Sequence, residues 1–277
     1  MFELVLCHRR SRASSIGELR DHWRGPRAAL VAELRGSLRY QRYVQVHRAS
    51  RLNSLYLGIF ASRSWPLAAL FSVVQKLPVP PLARGAGAAD EMWDVIEAFR
   101  YESAADLVAA LTSTAGIAGL ERLSQDARPL IRHGTALLVE VLPLYEEPGL
   151  GWPRAATVLC LRARPPLMHA AMMERWGTSH RRLVESLRPA LAYRHYDQLH
   201  ASVTTALAPA AAALGVPFGD FDGIAWLSHG NQGEIRWRLL SLATQIANLR
   251  LSKDEVNFID GRNSPLVFGE AHRLDVG

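Results

Sequence analysis

Residues that could transfer protons recur in the second half of this 277-residue chain. His180, Tyr193, His200 and Asp222 qualify, because imidazole titrates near neutral pH and burial raises the pKa of a carboxyl group. We expect His180 to act as the acid or base, with the other three orienting it or stabilising an enolate. The same His180 could instead bind haem iron, or it could simply pack between a helix and a sheet.

Aromatic and polar side chains near these candidates are expected to bind a substrate. They lie on a helix and on strands of both halves: Trp176, Tyr196, Gln198, His47 and Tyr43. Tyrosines with satisfied hydroxyl groups and histidines with a shared structural role are the alternative interpretation. The chain has no phosphate-binding glycine loop, no serine nucleophile elbow and no HExxH motif, which disfavours nucleotide-binding proteins, hydrolases and zinc proteases.

An internal duplication relates these residues to one another. Residues 22–47 align with residues 175–200 at a constant offset of 153 with 10 identical pairs in 26 positions, whereas composition alone gives about two. Two copies are too few for a solenoid, so they indicate two halves that complete one core. Cys7 and Cys160 have the same offset, which predicts a duplicated buried small residue rather than a disulfide.

Hydrophobic periodicity predicts the order strand, helix, two strands, helix, strand in both halves. Ser14 or Ser15 should cap the first helix, and Glu18 stands at capping-box spacing from Ser15. The helix should kink or restart at Pro26 and end at Gly36 in a left-handed conformation. On the next strand, residues 38–47, we expect the valines at 44 and 46 to face the helix. The Tyr, Gln and His at 43, 45 and 47 should then face a cavity or a second sheet.

The predicted domain organisation is a first repeat at residues 1–145, a linker at 146–155 and a second repeat at 156–277. The first repeat carries an insertion at 51–90 without a counterpart of similar length in the second. It could be a packing element or a lid over an apolar site.

Composition indicates a globular protein, with 49% hydrophobic and 21% charged residues. The net charge is +6, and all but two of the 32 basic residues are scattered arginines, which disfavours a nucleic-acid partner. We expect neither a signal peptide nor an integral membrane segment, and therefore a cytoplasmic protein, with a homodimer left open.

Together these motifs resemble a tandem EthD-type protein of the dimeric α+β-barrel (ferredoxin-like) superfamily. The second half carries the pattern most fully, in Trp176 to His180, Tyr193 to His200, Asp222-Gly223, and Asp254-Glu255 followed by Phe258-Ile259. The first half departs from it, because Arg27 stands in place of the helix His, Val95 in place of the Gly, and Ala127 in place of the Glu.

The resemblance implies an α+β fold of two ferredoxin-like βαββαβ repeats that form a pseudo-dimeric α+β barrel with an apolar cavity. It also implies a small, lipophilic, aromatic or polyketide-like ligand. We expect a cofactor-independent enzyme of the lyase, cyclase or isomerase kind, which cyclises, decarboxylates or dehydrates this ligand by acid/base chemistry without a metal. The alternatives are a haem-binding or oxygen-using relative and a non-catalytic small-molecule binding protein.

Overall fold

A computed structural model describes residues 1–49, 93–147, 154–191, 193–202, 205–219, 221–231, 241–261 and 263–274. The insertion expected at 51–90 lies outside the described residues, as does most of the linker expected at 146–155. The division into two repeats and a linker stays a prediction.

Eight antiparallel strands form a closed barrel. They are β1 (Phe2–Arg10), β2 (Arg42–Arg48), β3 (Val95–Tyr101), β4 (Ile131–Glu146), β5 (Ala155–Leu161), β6 (His195–Ala201), β7 (Gly223–His229) and β8 (Leu266–Leu274). Around the barrel their order is β1-β3-β2-β8-β5-β7-β6-β4. Each half contributes four consecutive strands, and the pairs β2·β8 and β4·β6 join the halves. The predicted α+β barrel is confirmed at this level.

Helices cover the outer face of the strands. Those described are α1 (Ile16–His22), α2 (Ala28–Glu33), α3 (Arg35–Leu38), α4 (Ala104–Thr112), α5 (Thr114–Ala127), α6 (His169–Arg175), α7 (Arg181–Leu191), α8 (Ala208–Leu214) and α9 (Leu242–Glu255), with a 3₁₀ turn at Thr205–Leu207. A first π-helical turn, Trp23–Arg27, follows α1, and a second, Trp176–His180, follows α6.

The first helical region begins as predicted and ends later than predicted. Ser15 Oγ accepts a hydrogen bond from the Glu18 amide at 3.1 Å, and Glu18 Oε2 accepts one from the Ser15 amide at 2.6 Å. The helical region does not stop at Gly36 but continues to Leu38, and Arg39 takes the left-handed conformation with a φ of 54°. The extra turn carries Leu38 into the core, where it is buried, so burial outweighs the preference for a glycine cap.

The two faces of β2 are the reverse of the prediction. Val44 and Val46 point into the barrel interior, where they join a buried cluster drawn from both halves. Tyr43 packs with the helices of the first half, and Gln45 donates from Nε2 to the carbonyl oxygen of Trp23 at 2.8 Å. The prediction was wrong because closure of the barrel buries both faces of the strand. The residue pattern of one strand cannot show which buried face lies under the helices and which lies inside the barrel.

The barrel interior also holds both cysteines. Cys7 and Cys160 are free thiols and fully buried in this interior cluster, as the prediction of duplicated small core residues requires. Burial raises the pKa of the Cys7 thiol, and its contact with Cys160 raises it further.

Candidate functional site

His180, the main candidate for chemistry, lies in the second half, where the second π-helical turn meets α9. This turn buries both Trp176 and His180. A π-helical turn accommodates one extra residue and is frequent at functional sites, because it re-aims side chains without breaking the helix.

His180 is held by a carboxylate at the end of α9. Its Nδ1 lies 2.9 Å from Oδ2 of Asp254, whose Oδ1 accepts a hydrogen bond from Nη2 of Arg175 at 2.7 Å. The bond with His180, reinforced by Arg175, lowers the pKa of Asp254 below its ordinary value. The ionised carboxylate accepts, so Nδ1 carries the hydrogen of this bond, and Nε2 is the ring nitrogen that Asp254 does not engage.

A second carboxylate, Glu255, lies beside the predicted tyrosines. Its Oε2 is buried without a hydrogen-bond partner, and burial raises the pKa of Glu255 while His180 partly opposes the rise. Burial raises the pKa of Tyr193 and of Tyr196, and the charge of Glu255 adds to both effects. Neighbouring helix residues point apart, so Asp254 meets His180 whereas Glu255 lies near the tyrosines.

His200 is stacked on Trp176, with ring centroids 4.8 Å apart and planes 16° apart. Gln198 Nε2 donates to the Trp176 carbonyl oxygen at 3.0 Å, and His200 Nε2 lies 3.3 Å from Gln198 Oε1. Burial, with His169 nearby, lowers the pKa of His200 to about 4, so its imidazole is neutral at pH 7.

The first half repeats this hydrogen-bond chain. Gln45 bonds the Trp23 carbonyl, and His47 Nε2 lies 2.8 Å from Gln45 Oε1. Burial, with His272 and nearby arginines, lowers the pKa of His47 to about 3. The shared geometry favours a structural role for His47 and His200, in which each imidazole fixes the amide that ties a strand to a π-helical turn.

Asp222 lies just before β7 and bonds to backbone. Its Oδ2 accepts from the Ala163 amide at 2.6 Å, and its Oδ1 lies 2.7 Å from Nδ1 of His169. Asp94 makes the corresponding bond in the first half, where its Oδ2 accepts from the Arg10 amide at 2.9 Å. None of the described contacts of Asp222 reaches His180.

A buried ion cluster stands in the first half where the second half has the His180 site. Arg27, the counterpart of His180, donates from Nε at 3.0 Å and from Nη2 at 2.9 Å to the two oxygens of Glu97. His8 Nε2 lies 2.8 Å from Glu97 Oε2, and the Tyr43 hydroxyl donates to Oε1. Burial alone would raise the pKa of Glu97, but Arg27 and His8 hold it well below its ordinary range.

Sequence reasoning missed Glu97. In the second half its position is taken by Ala225, and that of His8 by Leu161, at the offsets of 128 and 153 that relate the halves. The only feature of the sequence that could have indicated Glu97 is its place among the apolar residues of a predicted strand. Tyr43 and His47 belong to this first-half cluster, so the structure does not bring them to His180.

In each half one aspartate is bonded by a histidine and an arginine, and the positions of these two residues are reversed between the halves. In the first half, Asp126 bonds His22 Nε2 at 3.0 Å and Arg27 Nη1 at 3.2 Å. Residues 22 and 27 correspond to Arg175 and His180, which hold Asp254. The histidine therefore sits at the outer position in the first half and at the buried position in the second.

The described cavity inside the barrel is small, and both polar and apolar side chains line it. The polar ones come from both halves: Glu3, Arg42, Arg100, His195 and Asp197. Arg100 Nε donates to Glu3 at 2.6 Å, and its Nη2 lies 3.4 Å from Asp197 Oδ2. Within the described ranges no group of three or more His, Cys, Asp or Glu is placed to hold a metal ion.

Comparisons with known proteins reach only the fold. No family model and no curated protein sequence matches the chain. A protein from Fusobacterium nucleatum assigned as a monooxygenase is 5% identical over 99% of this chain and 92% of that chain, with a TM-score of 0.47. A protein assigned as a chlorite dismutase is 12% identical over 100% and 95%, also with a TM-score of 0.47. A mutant chlorite dismutase from Candidatus Nitrospira defluvii is 13% identical over 98% and 90%, with a TM-score of 0.38.

The expected function is corrected at this point. The cofactor-independent cyclase, decarboxylase or dehydratase is contradicted by these neighbours, which are named as monooxygenases and chlorite dismutases. The lyase, cyclase and polyketide terms find no support there, nor does the absence of a cofactor. The closed barrel of eight strands agrees with the expected α+β barrel, whereas the EthD type is not confirmed. In the described part of the chain no helix is long and apolar enough to cross a membrane.

Proposed function

We propose that this chain is a haem-binding or oxygen-using protein whose site lies in the second half around His180. The observation that carries the proposal is the Asp254–His180 pair. A carboxylate that accepts from one imidazole nitrogen fixes the tautomer and the ring orientation, and leaves the other nitrogen as a ligand.

The residues around His180 are suited to hold a histidine that binds iron. His180 is the buried imidazole whose Nδ1 is already occupied by Asp254, so Nε2 is the nitrogen that would bind the metal. Bound haem would supply the activation of oxygen or of a peroxide. The wall around His180 is apolar and aromatic, with Phe258 5.2 Å from it between ring centroids and Trp176 one turn away.

Each neighbour of His180 has a defined task in this proposal. Asp254 orients the imidazole and increases its basicity, and Arg175 keeps Asp254 ionised. Trp176 and Phe258 exclude water from the buried side of the ring. The apolar wall favours a small aromatic or lipophilic substrate, and the matching halves favour two ferredoxin-like repeats.

Haemin titration of the purified protein tests this function. We expect an intense absorption band of histidine-ligated haem in the wild type, and its loss or displacement in His180→Ala. His22→Ala is the matched control, because His22 bonds Asp126 as His180 bonds Asp254 but at the outer position. An identical haemin spectrum in wild type and His180→Ala would remove His180 from the site and refute the proposal.

A further inference from the structure

Glu255 is a partly buried acid with one carboxylate oxygen that is shielded from solvent and has no hydrogen-bond donor. It is the last residue of α9, and α9 packs against both the second π-helical turn and α7. A buried acceptor left unpaired costs free energy, and the C-terminus of a helix is the less favourable end for a negative charge.

The first half shows what such an acid requires. Glu97 is fully buried in the corresponding layer between helices and sheet, and it is saturated by the guanidinium of Arg27, the imidazole of His8 and the hydroxyl of Tyr43. Buried charges are normally matched in this way by charge-assisted hydrogen bonds.

The second half keeps an acid but has lost two of the three donors, since only Tyr43 has a counterpart of the same type, Tyr196. Arg27 is replaced by His180, whose Nδ1 is engaged by Asp254, and His8 is replaced by the apolar Leu161. The acid of the second half also lies on a different element. Ala225 corresponds to Glu97 on the strand, and Glu255 corresponds to Ala127 at the end of the helix. The change leaves a carboxylate among Tyr193, Tyr196 and His180 with one oxygen unmatched.

We propose that Glu255 is the specificity-determining residue of this site, and that it binds an ammonium, amidine or hydroxyl group of the ligand. The donor group of the ligand takes the part that the Arg27 guanidinium takes in the first half. The surrounding tyrosines and leucines accept the apolar body to which this group is attached. The inference rests on the proposed location of the site at His180, and it names the class of molecule that enters there: a small aromatic amine, amidine or alcohol.

Calorimetric titration of the haem-free protein with benzylamine tests the inference, with benzoate as the probe of opposite charge. We expect benzylamine to bind and benzoate not to bind. Glu255→Gln should weaken benzylamine binding by about tenfold or more, because a charge-assisted hydrogen bond is lost. Glu174→Gln is the matched control, since Glu174 is an exposed glutamate on the neighbouring α6. Circular dichroism verifies that each variant is folded, and Glu255→Ala repeats the test with the acid removed altogether.

Benzylamine binding that is unchanged in both Glu255 variants, or equal binding of benzoate, would overturn the inference. So would the failure of benzylamine to bind the wild type. The two proposals fail separately, because haemin titration reports on His180 and the amine titration reports on Glu255. A His180-dependent haemin spectrum with Glu255-independent amine binding would refute only the inference.

Discussion

Single substitutions between the two halves change the chemistry of one buried position. Residue 27 is an arginine that bonds Glu97, whereas its counterpart His180 bonds only the aspartate at the end of the facing helix. The first half has thereby exchanged a titratable group for a permanent cation matched to an anion. In a guanidinium–carboxylate pair the hydrogen-bonding groups of both partners are occupied, so the pair stabilises the fold but leaves no atom free to bind a ligand.

The buried pair at Glu97 leads to a prediction about stability. Glu97→Gln should lower the free energy of unfolding by about 3–5 kcal/mol, because it leaves the buried Arg27 with only Asp126, at 3.2 Å, as its anion. Urea denaturation at pH 7 measures the change. Glu33→Gln is the control, since Glu33 pairs with Arg122 in solvent, and it should have little effect. Equal effects of the two substitutions would show that the Glu97 cluster does not stabilise the fold.

The same cluster sets a pH dependence. The pKa of Glu97 is below its ordinary value, so the ionised form stabilises the fold above about pH 4, the usual pKa of an unfolded glutamate. This contribution is lost as the pH falls further and Glu97 takes up a proton. The wild type should therefore lose more stability than Glu97→Gln below pH 4.

At the scale of elements, both halves use a π-helical turn with different local causes. The first contains Pro26, which interrupts the helical ladder, whereas the second contains no proline. There the Thr178 hydroxyl donates to the Glu174 carbonyl at 2.6 Å, and the Ser179 hydroxyl donates to the Arg175 carbonyl at 3.2 Å. Proline and backbone-bonded hydroxyls both loosen the helix, so the turn itself is the shared feature.

The contact between the second π-helical turn and the sheet depends on Gly223 of β7. A Cβ there would lie 2.6 Å from Trp176 and 2.8 Å from the Leu199 carbonyl oxygen. We expect Gly223→Ala to destabilise the protein by about 1–3 kcal/mol through overpacking and to shift the tryptophan fluorescence as Trp176 moves. Gly36→Ala is the control, because Gly36 is an exposed helical position with open space, and it should be neutral or stabilising. An unchanged fluorescence spectrum in Gly223→Ala would mean that Trp176 is not held by this contact.

At the scale of the whole molecule, one chain closes a barrel from two sheets. The pairs β2·β8 and β4·β6 seal the two seams, and the interior is filled by apolar residues of both halves. At one end Arg100 of the first half reaches Asp197 of the second. The halves share one core, so neither is expected to fold without the other.

The difference between the two halves at the His180 position predicts how many haem groups one chain binds. Haemin should saturate at one equivalent per chain, because Arg27 and Glu97 fill the first-half counterpart of the His180 site. Native mass spectrometry measures the number directly. Two haem groups per chain would contradict both this prediction and the assignment of the first-half cluster as closed.

The fold was more predictable from the sequence than the site. The Ser15 capping box, the β1 strand and the duplicated cysteines follow from spacings of a few residues, or from a repeat at one offset. The faces of β2 and the end of the first helix were predicted wrongly, because both depend on which surface becomes buried. Local patterns carry no such information.

The sequence by itself indicated an α+β chain with an internal repeat and made His180 a candidate, since periodicity and internal repetition are local and countable properties. Only the tertiary structure decided the partners of the ionisable groups. Arg27 meets Glu97 across 70 residues, and His180 meets Asp254 across 74. Such contacts depend on how the barrel closes and how the helices lie on it. That closure saturates the buried Glu97 and leaves Glu255 with an unmatched oxygen.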